Sequence, residues 1–113
     1  MLDTTIEQSQ DGKATISLSG SLTLGSSLSS LDSEIRDLLA GDIRDLTLDL
    51  AGVDFADSRG LGVLVQTHNF LKAKGGTFKL TYVRPRVMDL LRLTAVDTVI
   101  AIDAPPADLP PQE

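Results

Sequence analysis

The hydrophobic pattern of this chain changes its period several times, and these changes restrict the fold more than any other sequence feature. Apolar and polar residues alternate in stretches such as "ATISLSG" and "LTLDL", whereas apolar residues recur every three or four positions in "LSSLDSEIRDLL". The pattern predicts strands at 2–9, 13–20, 45–50, 78–82 and 98–102, and helices at 26–40, 58–74 and 83–93. The predicted order is therefore β-β-α-β-α-β-α-β.

This order predicts a two-layer α/β domain. Strand–helix–strand repeats favour parallel strands with right-handed crossovers, and Asp11-Gly12 favours a tight antiparallel hairpin before them. Because the strands alternate instead of being apolar throughout, we expect a mixed sheet of about five strands with the helices mainly on one face. We expect the domain to occupy residues 1–102, and the proline-rich residues 103–113 to form a mobile tail.

Composition excludes several classes of function. The 113 residues include no cysteine, which excludes a disulfide scaffold and a thiolate metal site. A formal net charge of −6 argues against nucleic acid and anionic membranes, which need a basic surface, and suits a protein partner with a basic face or plain solubility. The chain begins without a signal-like segment and has no apolar run near the roughly 20 residues that span a bilayer. We therefore expect a cytoplasmic protein without metal or cofactor.

The segment "DFADSRGLGVLVQ", Asp54 to Gln66, places a serine between a predicted strand and a predicted helix. Ser58 cannot form a catalytic dyad with His68, the single histidine, because ten residues along one helix separate them by roughly 15 Å. The segment also lacks a G-x-S-x-G motif. A small serine hydrolase is therefore the least favoured function.

Other chemistry in this segment is weakly indicated. Gly60-Leu61-Gly62 lacks the lysine of a nucleotide phosphate loop. Asp54 and Asp57 could hold a divalent cation, but two loop carboxylates are a weak signal, and Asp57 is well placed to cap the second helix.

Ser58 has two interpretations at the start of the predicted helix. The structural one is that its hydroxyl caps the helix, and the pattern alone favours it roughly two to one. The functional one is phosphorylation, because free amides and the helix dipole accept a phosphate at this end. A buried unpaired charge costs about 2–5 kcal/mol in an interface, so a phosphate here would switch binding more than folding.

Residues 2–102 resemble the STAS domain, and most closely the stand-alone anti-sigma factor antagonists of bacterial partner switching. Three stretches carry the resemblance: "ISLSGSL", "DIRDLTLDLAGVDFADSRGLGVLV" and "KGGTFKLTYVRPRVMDLLRLTAVDTVI". The resemblance implies that Ser58 is phosphorylated by an anti-sigma factor serine kinase of the GHKL type. It also implies that only the unmodified form binds the anti-sigma factor and frees the sigma factor, that a PP2C-type phosphatase restores this form, and that the chain is not an enzyme.

The same resemblance implies a docking surface at the start of the second helix and the loop after the second strand. The expected partner-binding residues are Asp57, Ser58, Arg59, Gly60, Leu61, Gly62, Val63, Thr23 and Leu24. Two positions depart from the family pattern: Arg59 replaces a second hydroxyl residue, and Thr23 replaces an acid that often stands near the acceptor. The alternative within the family is an unphosphorylated STAS scaffold or accessory subunit of a transporter or signalling complex.

Overall fold

The predicted mixed five-stranded sheet is confirmed in a computed structural model, which describes residues 2–9, 11–23 and 26–102. The elements are β1 Leu2–Gln8, β2 Lys13–Leu22, α1 Ser26–Ala40, β3 Asp45–Ala56, α2 Ser58–Ala73, β4 Thr77–Thr81, α3 Pro85–Leu93, a 3-10 turn Val96–Thr98 and β5 Ala101–Ile102. The strands lie in the order β1-β2-β3-β4-β5, with β1 antiparallel to β2 and every other pair parallel. The predicted tail at 103–113 lies outside the described residues.

The sheet has one buried and one polar face. Along β2 every second residue from Ala14 to Leu18 is buried, as is Leu22, whereas the other residues of the strand are not. The partners of these buried residues in β3 and β4 continue the apolar layer, and α1 and α2 complete the core. On the other face Thr15, Thr47 and Lys79 lie side by side across three strands. The helices therefore lie mainly on one face, as the alternation predicted.

Strand β3 extends to Ala56, beyond its predicted range of 45–50. The prediction stopped early because two irregularities in the pairing of β3 with β2 break the alternation of apolar and polar residues. The register with β2 shifts between Ser17 and Ser19 and again between Gly20 and Ser21. An extra residue on one strand of a pair bends that strand and moves side chains to the other face. The segment "AGVDFA" therefore does not alternate, although its pairing with β2 continues as far as Ala56. The chain then leads directly into α2.

The predicted last strand at 98–102 is wrong over most of its length. Ala95 has a left-handed φ of +63°, and the amides of Thr98 and Val99 donate to carbonyls three residues back, at 3.1 and 3.0 Å. These amides are hydrogen-bonded within a 3-10 turn and cannot pair with β4, so β5 has only two residues. Tyr82, expected in the fourth strand, has a φ of +54° and lies beyond it.

The β1–β2 connection is one residue longer than the predicted strands 2–9 and 13–20 leave, because β1 ends at Gln8. Four residues separate Gln8 from Lys13, and Gly12 has a φ of +85°. The carbonyl of Gly12 accepts hydrogen bonds from the amides of Arg44 and Asp45, at 2.9 and 3.2 Å, which secure the turn against the start of β3.

Close backbone contacts position both ends of α2. At its beginning, a Cβ on Gly60 would lie 2.2 Å from the carbonyl oxygen of Leu22, so this helix turn rests directly on the end of β2. Beyond its end, Lys74 donates from Nζ to the carbonyl oxygens of Leu39, in the last turn of α1, and Ile43, just after that helix. The start of α2 is therefore held against the sheet.

No helix in the described part of the chain is long and apolar enough to cross a membrane.

The two glycines of the first turns of α2 should respond oppositely to alanine. Gly60→Ala should destabilise the domain by about 1–3 kcal/mol, because the main chain of Leu22 leaves no room for a methyl group. Gly62→Ala is the matched control: its Cβ would meet nothing within 4 Å, so removal of a helical glycine should stabilise by up to about 1 kcal/mol. Urea denaturation of both variants measures the difference. A Gly60→Ala protein as stable as the wild type would contradict the close contact.

Candidate functional site

Asp57 caps α2, as the sequence predicted. It has extended backbone angles, φ −120° and ψ −176°, and its Oδ1 accepts hydrogen bonds from the amides of Arg59 and Gly60, both at 3.0 Å. Its own amide donates to the carbonyl oxygen of Leu22 at 3.0 Å, and its carbonyl accepts from Leu61 at 3.0 Å. One residue thus joins the end of β2, the end of β3 and the first turn of α2.

The cap leaves the Ser58 hydroxyl free for other chemistry. Ser58 is the first residue of α2 and is exposed, and within the described residues no hydrogen bond engages its side chain. The interpretation of Ser58 as the capping residue is therefore wrong, because Asp57 takes that role. An exposed hydroxyl at the positive end of a helix is open to an external phosphoryl donor.

Among the described residues, His68 is not placed to activate Ser58 as a nucleophile. Both Ser58 and His68 lie on α2, which keeps them roughly 15 Å apart. The Asp57 carboxylate already accepts two amide hydrogen bonds. Among residues 2–9, 11–23 and 26–102, no group of three or more His, Asp or Glu side chains could hold a metal ion.

The expected contact residues occupy different depths. Arg59 is exposed beside Ser58, whereas Thr23, Gly62 and Val63 are half-buried. Val63 also packs against the core. Thr23 follows Leu22, the residue on which Gly60 rests, so the end of β2 and the start of α2 are adjacent. Leu24 lies outside the described residues.

Gly60 and Leu61 are not surface residues. Leu61 is only 5% exposed and belongs to the hydrophobic core, and Gly60 is buried against Leu22. That a partner contacts these two residues stays a prediction, and their burial against the sheet leaves them little surface for such a contact. Their contribution is to hold the first turn of α2 in place.

Two exposed apolar residues near this site were missed from the sequence. Phe55, three residues before Ser58, is 49% exposed, and Leu93 at the end of α3 is 83% exposed. The signal was present for Leu93, because it lies outside the stripe formed by Val87 and Leu91 on α3. For Phe55 the irregular pairing of β3 hid the direction of the side chain.

Loss of the cap should destabilise the site locally. Asp57→Ala removes the acceptor of two amide hydrogen bonds, and we expect a loss of about 0.5–2 kcal/mol in the free energy of unfolding. Asp57→Asn, which keeps an oxygen acceptor, should lose clearly less. Urea denaturation of the two variants and the wild type tests this, and equal losses for alanine and asparagine would contradict the capping role.

The comparisons with known proteins agree on one family. The model of the STAS domain family matches residues 5–108. The anti-sigma-B factor antagonist of Bacillus subtilis (strain 168) is 38% identical over 66 residues, which cover 58% of this chain and 61% of that protein. The chain thus spans about three fifths of the length of this curated relative.

Solved structures show the same fold. An anti-sigma factor antagonist from Mycobacterium paratuberculosis is 27% identical with a TM-score of 0.78, covering 96% of this chain and 89% of the other. The anti-sigma factor antagonist SpoIIAA in its unphosphorylated form is 17% identical with a TM-score of 0.78, over 90% of this chain and 89% of the other. SpoIIAA of Bacillus in its phosphorylated form is 16% identical with a TM-score of 0.72, over 90% and 92%.

The family model covers most of the chain, and the strand order and helix positions match those of its solved relatives. This chain belongs to the STAS domain family.

Proposed function

We propose that this protein is an anti-sigma factor antagonist whose binding is switched by phosphorylation of Ser58. The observation that carries the proposal is the exposed Ser58 hydroxyl at the start of α2, left free because Asp57 caps the helix. The 38% identity to the anti-sigma-B factor antagonist supports the same role. The unmodified form binds an anti-sigma factor of the GHKL kinase type in the cytoplasm and releases the sigma factor.

The phosphoryl transfer uses groups from both proteins. The Ser58 oxygen attacks the γ-phosphorus of ATP held by the kinase, and the bond from that phosphorus to the bridging oxygen of ADP breaks. The hydroxyl proton passes to a base of the kinase, because His68 is too distant and the Asp57 carboxylate is already hydrogen-bonded. ADP then leaves. Hydrolysis by a PP2C-type phosphatase returns the serine and releases inorganic phosphate.

The phosphate acts on docking more than on folding. It adds about −1.5 to −2 charges at a helix end whose dipole favours anions. In the free protein the phosphate stays in water, because Ser58 is exposed. In a complex the partner covers it, and an unpaired buried charge weakens binding by about 2–5 kcal/mol. The same modification is therefore tolerated by the fold and rejected by the interface.

Arg59 places a positive charge directly after Ser58. It is exposed and adjacent to Ser58, and among the described residues no carboxylate forms an ion pair with it. A guanidinium pairs well with a phosphate, so Arg59 is available to a phosphate on Ser58 or to an acidic group of the partner. Gly62 supports docking differently, since its open surroundings let a partner approach the helix backbone closely.

The acceptor assignment is tested by mass. Incubation with the anti-sigma factor kinase and ATP should add one phosphoryl group to the wild type and none to Ser58→Ala, measured by intact mass spectrometry. Ser33→Ala, which removes an exposed hydroxyl from α1, is the matched control and should be phosphorylated like the wild type. A phosphate that appears equally on Ser58→Ala would place the acceptor elsewhere.

The binding switch is tested by charge at the same position. Ser58→Asp should weaken binding to the anti-sigma factor by about 30-fold to several thousand-fold, as measured by calorimetry. Its melting temperature should stay close to that of the wild type, because the side chain is exposed at a helix start. Ser58→Asn, similar in size but neutral, controls for shape and should bind much more tightly than the aspartate variant. A large fall in melting temperature with unchanged binding would contradict the switch.

A further inference from the structure

An apolar groove lies beside the Ser58 site, between the end of β3 and α3. Its volume is about 270 Å³. Four of its six lining residues are apolar, and the six are Phe55, Ala56, Arg86, Asp89, Leu90 and Leu93. Phe55 and Leu93 on its walls are 49% and 83% exposed. Exposed apolar residues grouped in this way commonly mark an interaction surface.

Both walls of the groove are firmly anchored. The pairing of β3 with β4 ends at Asp49 and Thr81, while the pairing of β3 with β2 continues to Ala56. The free edge of β3 beyond that point lies against α3, which is held by its buried residues Val87 and Leu91. A groove between a paired strand and an anchored helix is formed before any partner arrives, so little ordering opposes binding there.

The size of the groove favours a side chain as its occupant. The groove is open, and its volume of about 270 Å³ lies at the lower limit of the roughly 300–1,000 Å³ of small-molecule sites, which also enclose most of their ligand. A single large apolar side chain inserted into a pocket of the partner is the common anchor of protein interfaces.

The groove starts close to Ser58 in the chain. Phe55 precedes Ser58 by three residues, so their Cα atoms are at most about 11 Å apart. A protein that covers Ser58 over an interface of ordinary size, about 800 Å² on each side, extends well beyond that distance. A partner that covers Ser58 can therefore extend as far as the Phe55 wall of the groove.

We propose that the groove between β3 and α3 receives a large apolar side chain of the anti-sigma factor that covers Ser58. This inference rests on the proposed function and adds a second contact to it. The apolar side chain in the groove contributes affinity that does not depend on charge. The phosphorylation state of Ser58 determines whether the partner can bind closely enough to make this contact. Docking then requires both contacts, because a phosphate at Ser58 prevents the partner from approaching the groove.

Calorimetric titration with the anti-sigma factor tests the anchor. Phe55→Ser and Leu93→Ser should each weaken binding by about 30-fold, the loss typical of an interface hot spot. Phe70→Ser is the matched control, because Phe70 is also 49% exposed but lies on α2 in a different groove, against α1. We expect Phe70→Ser to bind within threefold of the wild type. The high exposure of Leu93 means that its variant should fold normally, which a thermal melt checks.

The outcomes separate this inference from the proposed function. If Ser58→Asp loses binding while Phe55→Ser and Leu93→Ser bind like the wild type, the anchor is overturned and the switch stands. If Phe70→Ser is the variant that loses binding, the anchor lies between α1 and α2, which also overturns the inference. If light scattering shows a dimer of the free protein that Leu93→Ser converts to a monomer, a second copy occupies the groove. If Ser58→Asp binds like the wild type, the proposed function fails.

Discussion

The position of the start of α2, where Ser58 lies, depends on contacts with the carbonyl oxygen of Leu22. This oxygen accepts the amide of Asp57 at 3.0 Å, and the Cα of Gly60 lies so close that a Cβ would be 2.2 Å from it. The last residue of β2 therefore holds both the cap and the first turn of α2. Because the contact is made by main-chain atoms, it leaves little freedom for the helix to shift, and Ser58 is directed away from the sheet.

Because of this contact, Asp57 and Leu61 stabilise the start of α2, whereas Ser58 between them is exposed. Asp57 satisfies two amides and Leu61 fills the core, so the stability of the helix start does not depend on Ser58. A residue relieved of a structural role can be chemically modified at little cost to the fold. Binding of a partner is more sensitive, since an interface must desolvate whatever charge stands at that position. Under the function that we propose, phosphorylation of this small STAS domain acts on its association with a partner instead of on its own conformation.

The irregular pairing of β3 has consequences beyond the strand itself. Its register shifts let the strand continue to Ala56 and leave Phe55 exposed opposite α3. A regular strand would have kept the strict alternation seen at Leu46 and Leu48 and offered no groove. Strand irregularities of this kind are common beside functional sites, because they redirect side chains without breaking the sheet. The docking surface that we propose therefore has its origin in a defect of pairing next to an anchored helix start.

Local patterns were sufficient to predict the order of the elements and to name Asp57 as one of two candidate caps of α2. The periods of Leu46–Leu50 and of α1 report directly on which side chains are buried, and the start of α2 follows from short-range chemistry between Asp57 and the next amides. The sequence thus determined a mixed sheet and a helix start at Ser58. Only the tertiary structure decided that Ser58 is free while Gly60 and Leu61 are buried, because that depends on how closely α2 approaches Leu22. It likewise decided the exposure of Phe55, since register shifts arise from pairing between segments distant in the chain. The two-residue β5 follows from the left-handed turn at Ala95, which no glycine in the sequence signals.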